Sequence, residues 1–191
     1  GGAQEIYKVV PDLSTFGKAI GNGYPISAIV GKKKIMKNMD KIFYSGTFGG
    51  ETISLEACMA TINFINKNKS IRNNIYKGSY LMKEFNRLSE KYNLRNIIYL
   101  SGHPSWPFLI VKNISNEDKM KIKTLFMQEY LLDKILFIGT SFVINASHNL
   151  KDIKKVLSIT DKILFKISNN ISNIDKILIA KVSKPLFRIR N

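Results

Sequence analysis

The chain has 191 residues, 45% hydrophobic and 23% charged, a globular composition long enough to bury one sizeable core or two small ones. Its net charge of +16 raises nucleic-acid binding as a function, but the lysines are dispersed and Lys32–Lys34 is the one tight run. The basic excess travels with Asn and Ile, whose codons are equally A/T-rich, so it reads as compositional drift. No nucleic-acid partner is expected, although the surface field still attracts small anions.

No apolar run reaches the roughly 18 residues of a membrane-spanning helix, so no membrane partner is expected. The opening GGAQEIYKVV has neither the basic start nor the apolar stretch of a signal peptide. Residues 1–51 are rich in glycine and turn signals. They enclose ISAIVG (26–31), read as a buried strand, and IFYS (42–45), read as a second short strand. Leu55, Met59, Ile62 and Ile65 recur at helical spacing over 52–66, with Thr52 as the expected N-cap. Cys58 lies in this helix. As the one cysteine it forms no internal disulfide, reads as a core thiol and fits a reducing, cytoplasmic location.

KNKSIRNN (67–74) is a polar break and the expected domain boundary. A longer helix follows with Leu81, Phe85, Leu88 and Tyr92 on one face. NIIYL (96–100) and FLIVK (108–112) read as strands joined by the turn-rich SGHPSWP. A helix over about 117–132 precedes strands at 136–138 and 141–146. A last helix covers 152–167, and the spacing in NNISNIDKILIAK predicts that it continues further. The alternation after residue 74 points to a compact α/β or α+β domain.

The densest constellation is PDLSTFGKAIGNGYPISAIVG (11–31). Lys18 is followed by the flexible Gly21-Asn22-Gly23 and an apolar strand. By spacing alone it reads first as a solvated lysine beside a turn. The alternative is an amine nucleophile whose pKa is lowered by an apolar pocket. In YSGTFGGE (44–51), Ser45, Thr47 and the N–H groups around Gly46, Gly49 and Gly50 could form an anion-binding concavity before a helix, a feature also common without any anion. No metal-ligand spacing is present, so no metal is expected.

Taken together, the two clusters resemble class III aminotransferases, enzymes of the pyridoxal 5'-phosphate (PLP) family. PDLSTFGKAIGNGYPISAIVG is similar to the family's lysine segment, and SGTFGGE to the segment that follows it. GGAQEIY resembles the stretch before, and the nearest pattern is that of glutamate-1-semialdehyde aminomutase-like members. GHPSWP, LFMQEYLLDKILF, ASHNLKDI and KPLFRIR follow in the family's order.

The resemblance implies an α/β chain of PLP-dependent transferase fold type I. Residues 1–72 would be the C-terminal portion of the large cofactor-binding domain, and 73–191 the small C-terminal α/β domain. It implies a PLP-dependent aminotransferase or aminomutase acting on a small amino or keto substrate. Lys18 would carry PLP as an internal aldimine and, once freed, move the substrate proton. Gly46 and Thr47 would contact the phosphate across a homodimer interface. Glu51 is assigned no catalytic role, His148 a structural one, and His103 a place in a loop.

The family's aspartate partner for the pyridine nitrogen lies upstream of its GGAQ-like segment, and the present chain opens there. It is therefore expected to be a fragment or one half of a split gene, inactive alone. The other reading is a non-catalytic basic binding module that keeps part of the fold.

Overall fold

The computed structural model describes residues 2–184. The chain divides into two compact units, the first ending at Lys69 and the second beginning at Ser70.

The first unit contains helix α1 (Gly2–Ile6), strand β1 (Leu13–Phe16), a 3-10 turn (Lys18–Ile20) and strand β2 (Ala28–Gly31). Helix α2 (Lys33–Met36), a second 3-10 turn (Lys37–Lys41) and helix α3 (Thr52–Lys67) complete it. β1 and β2 pair antiparallel, with Leu13 opposite Gly31 and Phe16 opposite Ala28. The Ser14 hydroxyl donates to Gln4 Oε1 at 2.9 Å and ties α1 to β1.

Three expectations about strands and burial fail in this unit. Residues 42–45 form no strand: among the described residues no strand pairs with them, and Phe43 is 95% exposed. β2 is shorter than 26–31, and its Ile29 and Val30 are exposed because a two-stranded ribbon has no layer over it here. Cys58 is only half-buried. Indeed, among the described residues no hydrophobic side chain of the first unit is fully buried.

The second unit holds the core. It comprises helix α4 (Ser70–Lys91), strands β3 (Ile98–His103) and β4 (Trp106–Val111), helix α5 (Asn116–Leu132), helix α6 (Leu150–Asn170) and a 3-10 turn (Ile174–Ile177). α4 starts within the expected polar break. Its first-turn side chains are largely exposed, so their polarity does not oppose the helix, and the real interruption is Lys69, at φ 49°. Leu81, Phe85 and Leu88 of α4 meet Ile98 and Leu100 of β3, Leu125 and Phe126 of α5, and Ile163 and Leu164 of α6 in one apolar cluster. Tyr92 is half-buried instead and turns its hydroxyl to Asp161, 2.9 Å away.

β3 and β4 form a tight hairpin in which His103 pairs with Trp106, so SGHPSWP is mostly strand rather than loop. Gly78 brings α4 against this turn. A β-carbon there would overlap the Pro104 carbonyl. Asn86 binds both backbone groups of Leu100, at 2.8 and 3.1 Å, and so docks α4 to β3.

Residues 136–138 form no strand. Segment 140–144 makes one isolated bridge, yet Leu109 N–H reaches Thr140 O, Phe142 N–H reaches Pro107 O and Ile144 N–H reaches Ser105 O. It is an irregular third row along β4, held by Phe142 and Ile144 in the core. The last helix ends at Asn170 rather than running on. Gln128 of α5 binds the segment that follows, accepting from Ile179 N–H at 2.7 Å and donating to Ile177 O. The KPLFRIR segment lies outside the described residues after Lys184.

Candidate active site

Lys18 opens the 3-10 turn directly after β1, with Gly17 extended before it and Gly21 closing it. Its backbone lies in the left-handed region at φ 53°, which L-residues seldom adopt. The side chain is exposed, and among the described residues Nζ has no hydrogen-bond or ion-pair partner. The apolar pocket expected around it is therefore not formed by this segment alone. Gly21, expected to be flexible, is the buried residue of the stretch: its N–H donates to Lys18 O at 3.2 Å, and its own carbonyl accepts from Tyr24 N–H at 3.1 Å.

The second glycine cluster lies in the same unit. Gly46 O accepts from Gly49 N–H at 2.9 Å, which folds residues 47–50 into an exposed turn that leads into α3. The Thr47 hydroxyl has no partner among the described residues, and space around Gly46 is open. The 3-10 turn bearing Lys18 touches α3, so both clusters reach the same helix.

The N-terminus of α3 is not an open anion site. Glu51, not Thr52, is the N-cap, and its carboxylate takes Ile53 N–H at 2.8 Å and Ser54 N–H at 2.7 Å. Hydrogen bonds from Ser54 and Ile53 hold this carboxyl below its usual range. Sequence reasoning missed the cap because Glu is a rare N-cap residue, and it set Glu51 aside only as a catalytic group. An anion here would draw on Thr47 and the N–H groups of the turn instead.

Neither histidine stands near Lys18 in sequence. His103 ends β3, where its Nδ1 accepts from Ser105 N–H at 3.2 Å. His148 precedes α6, and its Nδ1 accepts from Asn145 N–H at 3.3 Å. A cleft of about 450 Å³ opens beside β1, lined by Gln4, Tyr7, Ser14 and Thr15 among others; another of about 460 Å³ lies in the second unit beside His148 and Asp152. Lys18, Gly46 and Thr47 line neither. Among the described residues no three His, Cys, Asp or Glu side chains converge as metal ligands, and no helix is long and apolar enough to cross a membrane.

The aminotransferase class-III family model matches residues 2–134, a span that includes Lys18, Gly46 and Thr47. A glutamate-1-semialdehyde 2,1-aminomutase of Fusobacterium nucleatum is 29% identical over 87% of this chain and 42% of its own length. A 3-aminobutyryl-CoA aminotransferase of Cloacimonas acidaminovorans is 31% identical over 82% of this chain and 41% of its own. In fold, the chain is similar to the FumI protein of Sphingopyxis sp. MTA144, solved in its PLP internal aldimine form. The TM-score is 0.78 at 21% identity, over 90% of this chain and 41% of that one. The chain thus spans about two fifths of the length of the curated relatives it matches.

Proposed function

Because the chain belongs to the class III aminotransferase family and has the fold of PLP-dependent transaminases, we propose that it supplies the lysine side of a PLP enzyme that moves an amino group on a small amino or keto substrate. The functional pattern we propose is that of a glutamate-1-semialdehyde 2,1-aminomutase, with amino-group transfer between two substrates as its near variant.

The observation that carries this reading is Lys18 itself, an amine with no partner among the described residues, on a glycine-closed turn within the matched span. The residues present fit the cofactor on this side: a free Nζ for its aldehyde, and the Thr47 hydroxyl with the exposed turn at Gly46 for its phosphate. When bound, PLP supplies an electron sink that eases loss of the proton beside the substrate amine. Lys18 holds the cofactor and, when its Nζ is released, takes that proton and returns it.

The first unit then corresponds to the C-terminal portion of the large cofactor-binding domain, and the second to the small C-terminal domain. The whole protein acts as a homodimer in which Thr47 serves the partner's phosphate. The exposed Phe43, Tyr44, Phe48 and Ile53 around that turn support burial against another surface. A single, half-buried cysteine agrees with the cytoplasm.

Cofactor uptake tests the reading. PLP added to the chain gives a visible absorbance band that Lys18→Ala abolishes, and an equal band in the variant sinks the proposal. Salt-sensitive nucleic-acid binding without cofactor uptake would favour the basic binding module instead.

A further inference from the structure

We propose that Gly21 is a positioning residue for Lys18: its lack of a side chain lets the chain close the turn that sets the direction of the lysine. This rests on the cofactor role of Lys18 argued above. The left-handed backbone of Lys18 is unfavourable for an L-residue and persists only where its surroundings enforce it. The enforcing contacts run through Gly21 and Asn22, whose N–H groups bind Lys18 O and Ala19 O, each at 3.2 Å.

Gly21 is not required by its own backbone, which at φ −94° and ψ −6° suits any residue. The requirement is space. A β-carbon would stand 2.5 Å from both Ile26 Cγ2 and the Tyr24 carbonyl oxygen. Neither yields easily: one is main chain, the other the branch of a side chain stiff at χ1. Relief requires the 21–26 loop to open, which loosens the two hydrogen bonds that hold Lys18 and Ala19. Gly17, directly beside Lys18, makes the contrast. Its extended backbone accepts any residue, and a β-carbon there would sit at an ordinary 3.8 Å from Ser27 Cβ. The neighbouring glycine is therefore dispensable and the one three residues away is not.

The test incubates the full chain with PLP and traps attachment with borohydride. Lys18 Nζ condenses with the aldehyde, a C–N linkage forming as one water leaves, and borohydride supplies the hydride that makes the bond permanent. Digestion and mass spectrometry then give the label on Lys18 relative to exposed lysines such as Lys33 in the same digest. This ratio does not move for a merely structural defect that affects all lysines alike.

Gly17→Ala keeps the wild-type ratio, whereas Gly21→Ala lowers it by roughly tenfold or more, with an unchanged circular dichroism spectrum. An unchanged ratio in Gly21→Ala overturns the inference. Should that variant not fold, the comparison moves to the Ile26→Ala background, where one obstruction is gone and the Tyr24 carbonyl remains. The substitution must still lower the ratio there, and equality overturns the inference. A wild-type chain with no preference for Lys18 defeats the cofactor role, and this inference with it. Preference in both wild type and Gly21→Ala defeats this inference alone.

Discussion

Lys77 Nζ donates a 2.8 Å hydrogen bond to the carbonyl oxygen of His148, and a second, equally short, to that of Asn145. A buried lysine on α4 thereby fixes the loop that leads into α6, whose first turn is closed by the Asn149–Asp152 capping box. Burial lowers the Lys77 pKa, and Asp152 partly offsets this. Lys77→Met keeps most of the packing but removes both donors. It should lower stability by about 1–3 kcal/mol in urea unfolding, because partly sheltered carbonyls lose their partner. Unchanged stability would mean that water replaces the ammonium at no cost.

Gly78, the next residue, presents a steric rather than a polar constraint. Its missing side chain admits the Pro104 carbonyl. Gly78→Ala gains helix propensity but must push α4 away from the β3–β4 turn. The expected net is a loss of about 1–3 kcal/mol or more, read as a lower urea midpoint. A gain in stability, the usual result of Gly→Ala in an exposed helix, would show that the close approach is soft.

These two neighbours also mark what the sequence could disclose. The face of Leu81, Phe85 and Leu88 is legible from spacing, since helical periodicity is local. The burial of Lys77 is not, because it depends on carbonyls about 70 residues away. The turn around Lys18 is legible for the same local reason: Gly17, Gly21 and Gly23 punctuate it. That Gly21 is packed rather than flexible follows only from the return of Tyr24 and Ile26. Apolar runs at 42–45 and 136–138 look like strands, but a strand exists only where a partner stands beside it, and no residue pattern within the run supplies one. Segment 141–146 carries the right pattern and does run along β4, but its pairing is too irregular to form a full ladder.

Asp161 provides a pH-dependent tie between α6 and the end of α4. Burial pushes its carboxyl up, but hydrogen bonds from Lys91 and Tyr92, each 2.9 Å, outweigh it and hold the group below its ordinary value of 3.8. A folded pKa below the unfolded one adds stability above the unfolded value, and that stability is lost as pH falls through the folded pKa. Wild type should therefore exceed Asp161→Asn in stability at neutral pH, and the gap should narrow as pH falls below the ordinary value of 3.8. A gap that widens on acidification would contradict the assignment.

Tyr130 and Thr160 form a fully buried pair whose hydroxyl oxygens are 2.6 Å apart. Thr160 also reaches Val156 O at 2.8 Å. Its single proton is committed to that carbonyl, so Tyr130 must be the donor between the two hydroxyls. Burial accordingly pushes the Tyr130 pKa up and keeps the phenol protonated. Removing either hydroxyl is then not equivalent. Tyr130→Phe deletes a donor and leaves Thr160 with its bond to Val156, a cost of about 1 kcal/mol. Thr160→Val strands the phenol without a partner inside the core, which costs more, up to about 3 kcal/mol. Combining the two removes both polar groups in nearly unchanged shape, so the double variant should be more stable than Thr160→Val alone. A double-mutant cycle in urea measures all four species. If the double variant is instead the least stable, loss of the Thr160 hydroxyl does not strand the phenol, and the two hydroxyls are not coupled as a donor–acceptor pair.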